Sequence, residues 1–223
     1  TAYETSRGLV GSEMCIRDSA RTAPAEKLLD GTLFDDRIGI RRRDDGGYTI
    51  AHGSILDHGI TPSTFRYAFK FLPALKQKII MLRIRFGKDF FDELSMPKTR
   101  ALDAVSPFEH QRILDPEPSQ RGLDQVRRNL GEIFPPLAGV DIVESWAGMV
   151  ETTPDVVPII DEAGDARGFH IATGLSGHGF GIGPGCGKAV AAMLMGGDNP
   201  IDLSHFQLGR FFDGTPIRPE TSI

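Results

Sequence analysis

Residues Gly168 to Leu194 read GFHIATGLSGHGFGIGPGCGKAVAAML. This pattern predicts a strand from Gly168 to Thr173, a glycine-rich turn from Gly174 to Gly187, and a short apolar helix from Lys188 to Met195. Glycine permits unusual backbone dihedrals and lets the chain approach a flat or anionic ligand with no Cβ in the way. The free N–H groups at the start of a helix favour negative charge. The stretch is therefore the first candidate for a ligand site.

A nucleotide-binding turn of the G-x-G-x-x-G type is not predicted here, because no window of the stretch has its third glycine at the required place. Cys186 and Lys188 stand where that glycine would be needed. The turn alone leaves two interpretations open, a ligand-binding loop and a glycine-rich structural turn.

A second motif, ESWAGMVETTPDVVPIID, runs from Glu144 to Asp161. The pair W-A-G-x(4)-T-P-D-x(2)-P-I-I and G-x-S-G-H-G-F-G-x-G-P-G resembles the C-terminal signature of the DAO-type FAD-dependent oxidoreductases. This superfamily includes glycine oxidase, sarcosine oxidase and D-amino-acid dehydrogenase. The resemblance covers Ser145 to Met195 and, more loosely, Leu33 to Leu75, which looks like the family's substrate-domain hairpin and helix. RFFDGTPIRP, from Arg210 to Pro219, resembles the family's closing segment.

The resemblance implies an α+β or α/β fold of two lobes, in which a mixed sheet lies over the flavin and a Rossmann-like lobe holds FAD. The family's N-terminal G-x-G-x-x-G is missing from this sequence, so the chain is expected to be the C-terminal part of such a protein. Residues 20–150 are then expected to form the substrate-binding lobe. Residues 151–223 are expected to form the C-terminal part of the FAD-binding lobe, with the flavin-contacting loop and helix.

By the same resemblance, the glycine-rich turn lines the isoalloxazine ring of FAD. The expected cofactor-binding residues are Gly174, Ser176, Gly177, His178, Gly179, Phe180 and Gly181. His178 is also the catalytic candidate, either as a proton-transfer group near flavin N5 or only as a contact of the flavin. Family members that tether the flavin use a cysteine at the place of Gly148, so FAD is expected to be noncovalent here.

The expected substrate-binding residues are Trp146, Val150 and Arg218. Related oxidases carry an arginine at the place of Val150 and use it to clamp the substrate carboxylate, which valine cannot do. Arg218 is the alternative carboxylate partner on this part of the chain. Trp146 either forms a wall of the substrate cavity or packs in the core. The substrate is expected to be a small amine or amino acid of open identity.

The first functional hypothesis is an enzyme that oxidises a CH–NH group by hydride transfer to flavin N5, with the chain alone inactive. The second is a noncatalytic flavin-binding subunit or a degenerate family member. A third is a glycine-rich structural domain without a cofactor. The electron acceptor and any partner subunit stay open.

Composition and net charge limit the classes of partner that the chain is expected to bind. A net charge of −5 and a pI near 5.7 argue against nucleic acid and anionic membranes as partners. The longest apolar run, Ala189 to Met195, is too short for a membrane span. Cys15 and Cys186 give neither a disulfide framework nor metal-ligand spacing, so we expect no metal and a cytoplasmic setting.

The first nineteen residues, Thr1 to Ser19, resemble a translated sequencing adapter, most closely in LVGSEMCIRD from Leu9 to Asp18. They are interpreted as an artefactual tail, with natural sequence beginning near Ala20. The tail is expected to have no fold of its own and to pack on nothing.

The rest of the chain predicts a hairpin from Arg37 to Gly53 around Asp-Asp-Gly-Gly, and a helix starting at Pro62 with a kink or break at Pro73. The apolar stripe of this helix is expected to lie in the core; it consists of Phe65, Phe69, Leu72 and Leu75. Further predictions are helices over Arg83–Leu94 and Gln120–Phe134, strands over Val140–Val150 and Val156–Ile160, and surface positions for His52 and His58.

Overall fold

The computed structural model describes residues 13–76, 81–95, 101, 103–105, 109, 112, 113, 115–163 and 166–219. The chain divides into two compact units. The sheet unit consists of Cys15–Gly59 and Ile80–Met149. The turn unit consists of Ile60–Ile79 and Val150–Ile223, together with Thr1–Met14.

Seven strands form one mixed sheet, which confirms the expected α+β fold. They are β1 (Glu13–Thr22), β2 (Thr32–Phe34), β3 (Gly39–Arg42), β4 (Tyr48–Ala51), β5 (Ile55–Gly59), β6 (Met81–Arg85) and β7 (Ile142–Thr152). The order is β2-β3-β4-β1-β5-β6, and β7 pairs with β1. Strands β5 and β6 are parallel, whereas β1 is antiparallel to both β4 and β5.

The core of the sheet unit lies between β3, β4 and helix α3 (Gln120–Ile133), which follows helices α1 (Pro62–Lys76) and α2 (Lys88–Ser95) in the chain. Ile40 and Ile50 pair across the β3–β4 hairpin and belong to one buried cluster with Val126 and Leu130 of α3. Val126 and Leu130 lie four residues apart and so share one helix face. The helix begins after Ser119, whose hydroxyl accepts a hydrogen bond from Gly122 N at 3.2 Å. The predicted hairpin and the predicted third helix are therefore confirmed.

The expectation that residues 1–19 form no structure is wrong for residues 13–19, which belong to β1 inside the sheet. Cys15 is 1% exposed and pairs with His58 of β5, while Ser19 pairs with Ala51 of β4. The physical reason is that the facing edges of β4 and β5 both carry backbone N–H and C=O groups that need hydrogen-bond partners. Strand β1 lies between them and supplies these partners to both. Residues 1–12 lie outside the described part of the chain. The structure does not test whether residues 1–19 derive from a sequencing adapter, so that interpretation stays a prediction.

Of the two alternatives predicted at Pro73, a kink or a break, the break is absent, and one other predicted helix start is wrong. Helix α1 begins at Pro62 as predicted but continues past Pro73 to Lys76, so there is no break. The stretch predicted as a helix from Arg83 to Leu94 starts instead with β6, and α2 follows only from Lys88. The pairing of β6 with β5 overrides the local pattern, because Met81 to Arg85 can satisfy its backbone in the sheet.

The predicted apolar stripe of α1 does not lie in the core. Phe65 is 65% exposed and Phe69 is 82% exposed, and Leu72 and Leu75 are exposed as well. The buried face of α1 is formed by Tyr67, Phe71 and Ala74. The helix has two apolar faces at the same 3.6-residue period, and the period does not show which of them is covered.

His52 and His58 are buried rather than exposed, at 8% and 3% relative exposure. The backbone N–H of Ile55 donates to Nδ1 of His52 at 3.2 Å, which requires that nitrogen to be unprotonated. Burial lowers the pKa of His52, and the positive charges of Arg83 and Arg17 lower that pKa further. The folded sheet unit therefore favours the neutral ring.

The turn unit has a two-stranded antiparallel sheet of β8 (Ile159–Glu162) and β9 (His170–Thr173), followed by helix α4 (Gly179–Met195). Its small core contains Ile159, Ala163, Ile171, Leu208 and Phe211. Leu208 and Phe211 come from a short 3₁₀ helix, Leu208–Phe211, which overlaps the start of the segment Arg210–Pro219 that resembles the family's closing segment. The strands predicted over Val156–Ile160 and Gly168–Thr173 are thus present with shifted ends.

The division between the units falls at Met149–Val150, next to the predicted lobe boundary at residue 150. Residues 60–79, which were expected in the first lobe, are grouped instead with residues 150–223. The roles of the two lobes in binding substrate and FAD stay predictions. No helix in the described part of the chain is both long enough and apolar enough to cross a membrane.

We expect the free energy of unfolding to fall as the pH is lowered through the unfolded-state pKa of histidine, near 6.5. The reason is that the unfolded chain then binds a proton that buried His52 in the folded chain resists. The His52→Asn variant keeps an acceptor for Ile55 N–H and should lower this pH dependence. Urea denaturation at several pH values measures it, with His205→Asn at an exposed position as the matched control. An unchanged pH dependence in His52→Asn would contradict the prediction.

Candidate functional site

The turn after β9 has a left-handed backbone at three of its first four residues. Gly174, Ser176 and Gly177 have φ values of +70°, +50° and +85°. A Cβ at Gly174 would collide with Cγ2 of Thr153, so glycine is required there by space as well as by conformation. Ser176 adopts a conformation that is costly for a residue with a Cβ, and its hydroxyl donates to the Gly174 carbonyl at 3.1 Å. The turn has a fixed and strained shape.

Glu151, at the end of β7, holds this turn in place. Its carboxylate oxygen Oε2 accepts from the Thr173 hydroxyl and, at 3.0 Å, from Gly174 N. The Glu151 backbone carbonyl also accepts from Ser176 N at 3.1 Å. One residue thus binds the turn through both its side chain and its backbone. Hydrogen bonds to a charged acceptor are the stronger kind, so Glu151 contributes more than a neutral residue would.

Helix α4 begins at Gly179 and not at Lys188 as predicted. The His178 carbonyl accepts from Gly181 N at 2.9 Å and from Ile182 N at 3.1 Å, which closes the first turn of the helix. Glycine has a low helix propensity, and for that reason the sequence indicated a loop over these residues. The non-helical part of the turn is therefore only Gly174 to His178.

The first half of α4 exposes almost bare backbone. A Cβ built on Gly181, Gly183, Gly185 or Gly187 would have no described atom within 4 Å. Phe180 is fully exposed, and His178 is an exposed N-cap residue whose side chain makes no capping hydrogen bond. The N–H groups of Gly179 and Phe180, the first two helical residues, have no partner inside the helix. This surface fits a flat ligand that carries or develops negative charge.

Cys186 lies inside α4 rather than in the glycine-rich turn in which the sequence placed it. Burial raises the pKa of the Cys186 thiol. The thiol form is favoured, so Cys186 has the environment of a packing residue and not of a reactive thiolate.

Asp155 and Arg210 form a buried ion pair that fixes the segment before β8. Arg210 Nε donates to Asp155 Oδ2 at 2.7 Å and Nη2 donates to Oδ1 at 3.1 Å. The same guanidinium donates to the carbonyls of Val157 and Pro158, at 2.8 and 3.2 Å. Because Thr153 Oγ1 also donates to Val157 O at 2.9 Å, the whole turn from Thr153 to Pro158 is cross-linked.

The structure brings Val150 to the turn: its Cγ1 lies 3.5 Å from the position of a Cβ on Gly177. Trp146 is half-exposed in the part of β7 that belongs to the sheet unit. Arg218 is exposed, and its guanidinium has no hydrogen bond to any described residue. Val150 thus lies beside Gly177, which is one of the expected cofactor-binding residues.

Described residues of the sheet unit line two of the protein's cavities, and none of the predicted site residues lines either of these two. One has a volume of about 260 Å³ and is lined by Ala20, Ile50, Val126 and Glu144, among others. The other has a volume of about 370 Å³ and is lined by Asp57, Arg83, Arg85 and Arg121, among others.

Sequence reasoning missed Glu151 and Arg210. Glu151 stands inside the quoted ESWAGMVETTPD motif, and an acidic residue two positions before T-P-D could have been noted. Arg210 opens the segment Arg210–Pro219, but nothing in the sequence pairs it with Asp155, 55 residues away.

A model of the family described as "DAO: FAD dependent oxidoreductase" matches residues 71–193, which is more than half of the chain. The "Probable oxidoreductase OrdL" of Rhizobium meliloti is 34% identical over 94 residues, covering 42% of this chain and 22% of that protein. The "Sarcosine oxidase subunit beta" of Rhodobacter capsulatus is 32% identical over 100 residues, covering 43% of this chain and 24% of that protein. The matches to these curated relatives thus span about a quarter of each relative's length.

Among solved structures, the L-amino acid deaminase of Proteus myxofaciens is similar, with a TM-score of 0.81 and 29% sequence identity. The similarity covers 90% of this chain and 44% of that one.

Removing the positive partner of Asp155 should destabilise the turn unit strongly, because a buried carboxylate is left without its ion pair. We expect Arg210→Met to lower the free energy of unfolding by about 3 kcal/mol. Arg218→Met, at an exposed arginine with no described hydrogen bond, is the matched control and should change it by less than about 0.5 kcal/mol. Urea denaturation followed by circular dichroism measures both variants. A loss for Arg210→Met no larger than that of the control would show that the pair contributes nothing to stability.

Proposed function

The chain belongs to the DAO family of FAD-dependent oxidoreductases, and we propose that its protein oxidises the CH–NH group of an amine or amino acid. The observation that carries this proposal is the turn from Gly174 to His178, which has a left-handed backbone and leads into the bare start of α4. That turn lies inside the residues matched by the family.

The described residues fit a flavin. Gly181 and Gly185 lie four residues apart on one face of α4, and the absence of a Cβ on either leaves room for a flat ring against that face. Gly177 and the exposed first turn of α4 supply backbone N–H groups directed outward. The proposed cofactor-binding residues are Gly174, Ser176, Gly177, His178, Gly179, Phe180 and Gly181.

When bound, FAD supplies the hydride acceptor at N5, while the substrate nitrogen loses a proton and the resulting imine is hydrolysed by water. In this proposal the N-terminal end of α4 stabilises negative charge on the bound ring. Glu151 keeps the turn in the shape that the ring requires. His178 is the proposed proton-transfer residue, because its ring is exposed and has no hydrogen bond to a described residue.

We propose that FAD is held without a covalent bond. Gly148 stands where tethering members of the family carry a cysteine, and Cys186 lies inside α4 as a thiol whose pKa is raised by burial. Val150 beside Gly177 cannot bind a carboxylate, so a carboxylate-bearing substrate would need another cation such as Arg218 or one outside this chain.

A second candidate function is a noncatalytic flavin-binding subunit or a degenerate family member. Val150 is the observation that favours it, because an apolar residue there removes the family's usual substrate anchor. A flavoprotein whose absorbance bleaches anaerobically on adding an amine or amino acid supports the enzyme. A bound flavin that no amine or amino acid bleaches supports the second candidate.

The chain as given is proposed to be inactive by itself, since its matches cover only about a quarter of the length of its curated relatives and its sequence has no G-x-G-x-x-G. A cytoplasmic setting stays part of the proposal on the ground of the cysteine content. The activity is therefore to be measured on the protein as its gene encodes it.

Gly177→Val should abolish flavin binding while the protein stays folded, because valine is strained at a φ of +85° and its side chain would press on Val150 and shift the turn. Gly139→Val is the matched control: Gly139 has the same φ of +85°, with no described atom within 4 Å of its Cβ position, and lies in the sheet unit. Flavin content per protein, measured by absorbance after purification, distinguishes them. Equal flavin content in the two variants would place the flavin away from this turn.

His178→Ala should retain the flavin and slow its anaerobic reduction by substrate, by about 10²-fold if the ring transfers the proton. Stopped-flow absorbance with one amine or amino acid, compared with the unchanged protein, measures this rate. A variant with the unchanged rate at every pH would remove His178 from the reaction.

A further inference from the structure

Val156 has a left-handed backbone, which is rare for a residue that is branched at Cβ. Its φ is +64°, and it is buried, with 6% of its surface exposed. Such a conformation costs free energy and persists only where the surrounding contacts hold it in place. Residues that are strained in this way cluster at active sites and ligand clamps.

Three residues hold the segment around Val156 in this conformation. The Asp155 carboxylate accepts from Val157 N at 3.1 Å, and Arg210 donates to the Val157 carbonyl at 2.8 Å. Thr153 contributes through its backbone and its side chain. Its carbonyl accepts from Val156 N at 3.1 Å, and its hydroxyl donates to the Val157 carbonyl at 2.9 Å. These contacts prevent the backbone of Val156 from relaxing, and they fix Thr153 at the same time.

The fixed segment holds the Thr153 side chain against the turn that is proposed to bind flavin. Thr153 is fully buried, at 0% exposure, and a Cβ on Gly174 would collide with its Cγ2 methyl. Gly174 has a φ of +70°, and its N–H donates to the Glu151 carboxylate at 3.0 Å. Gly174 is therefore held by a hydrogen bond and by a methyl group that is packed beside it.

We propose that Thr153 is a positioning residue of the flavin site and that its methyl group, rather than its hydroxyl, has this role. The hydroxyl fixes the segment that carries Thr153, whereas the methyl occupies the space into which Gly174 would otherwise move. Gly174 then keeps its left-handed backbone, and the turn from Gly174 to His178 keeps the shape that receives the flavin ring. The inference rests on the proposed function, because it takes this turn to be the flavin-binding one.

Two variants separate the methyl from the hydroxyl. Thr153→Ser keeps the hydroxyl and removes the methyl, whereas Thr153→Val keeps the methyl and removes the hydroxyl. Both are compared with the unchanged protein, as its gene encodes it and with FAD bound. The Kd of FAD is measured from the fluorescence of FAD that is released on serial dilution.

The Kd should rise about tenfold in Thr153→Ser if the freed turn keeps its binding shape for about one tenth of the time. The absorbance bands of the bound flavin should shift in this variant as well, because the surroundings of the ring change. Thr153→Val should keep both the Kd and the absorbance bands of the unchanged protein. The melting temperature shows that each variant is folded.

Each variant removes one group from a fully buried side chain, so a residue that acts only through stability would change the Kd in both variants alike. Equal Kd values in the two variants, or a rise in Thr153→Val alone, would overturn the inference and leave the proposed function in place. Failure of the unchanged protein to bind FAD would instead overturn the proposed function, and the inference with it.

Discussion

The ion pair between Asp155 and Arg210 is the contact on which the turn unit depends. A buried carboxylate is tolerated only with a charged partner and further hydrogen bonds, and Arg210 supplies both. Since the same guanidinium binds the carbonyls of Val157 and Pro158, the turn before β8 and the 3₁₀ helix Leu208–Phe211 are held as one piece. Leu208 and Phe211 can then pack on Ile159 and Ile171. The polar contact and the small core therefore support each other.

The candidate site is built on this piece by two more contacts. Thr153, at the start of the cross-linked turn, is packed so closely on Gly174 that no side chain fits there. Glu151, two residues earlier, accepts hydrogen bonds from Thr173, Gly174 and Ser176. The left-handed backbone of Ser176 is thus held in place by the neighbouring strand end. A turn held in this way keeps its shape without a ligand, which lowers the entropy cost of binding one.

The elements that depend on local sequence pattern could be predicted from the sequence. The elements and contacts that depend on segments far apart in the chain could not. The strand, turn and helix from Gly168 to Met195, the β3–β4 hairpin and α3 follow from residue periodicity and from glycine. The start of α4 at Gly179 could not be predicted, because glycine propensity argues against a helix that its backbone hydrogen bonds nevertheless form. The place of residues 13–19 between β4 and β5, the burial of His52 and the pairing of Arg210 with Asp155 depend on segments far apart in the chain. No local pattern contains that information.

Helix α1 shows the limit of periodicity in another way. Its apolar residues occupy most of its circumference, so a 3.6-residue period fits the buried set of Tyr67, Phe71 and Ala74 as well as the exposed set that includes Phe65 and Phe69. The two faces differ in the charged residues beside them and in whether other residues cover them. The charges can be read from the sequence, whereas the cover can be seen only in the structure. An apolar period therefore indicates only that one face of a helix is shielded from water. Whether the protein itself or another surface provides the cover has to be decided from the neighbouring charges and from the contacts that the fold leaves unmade.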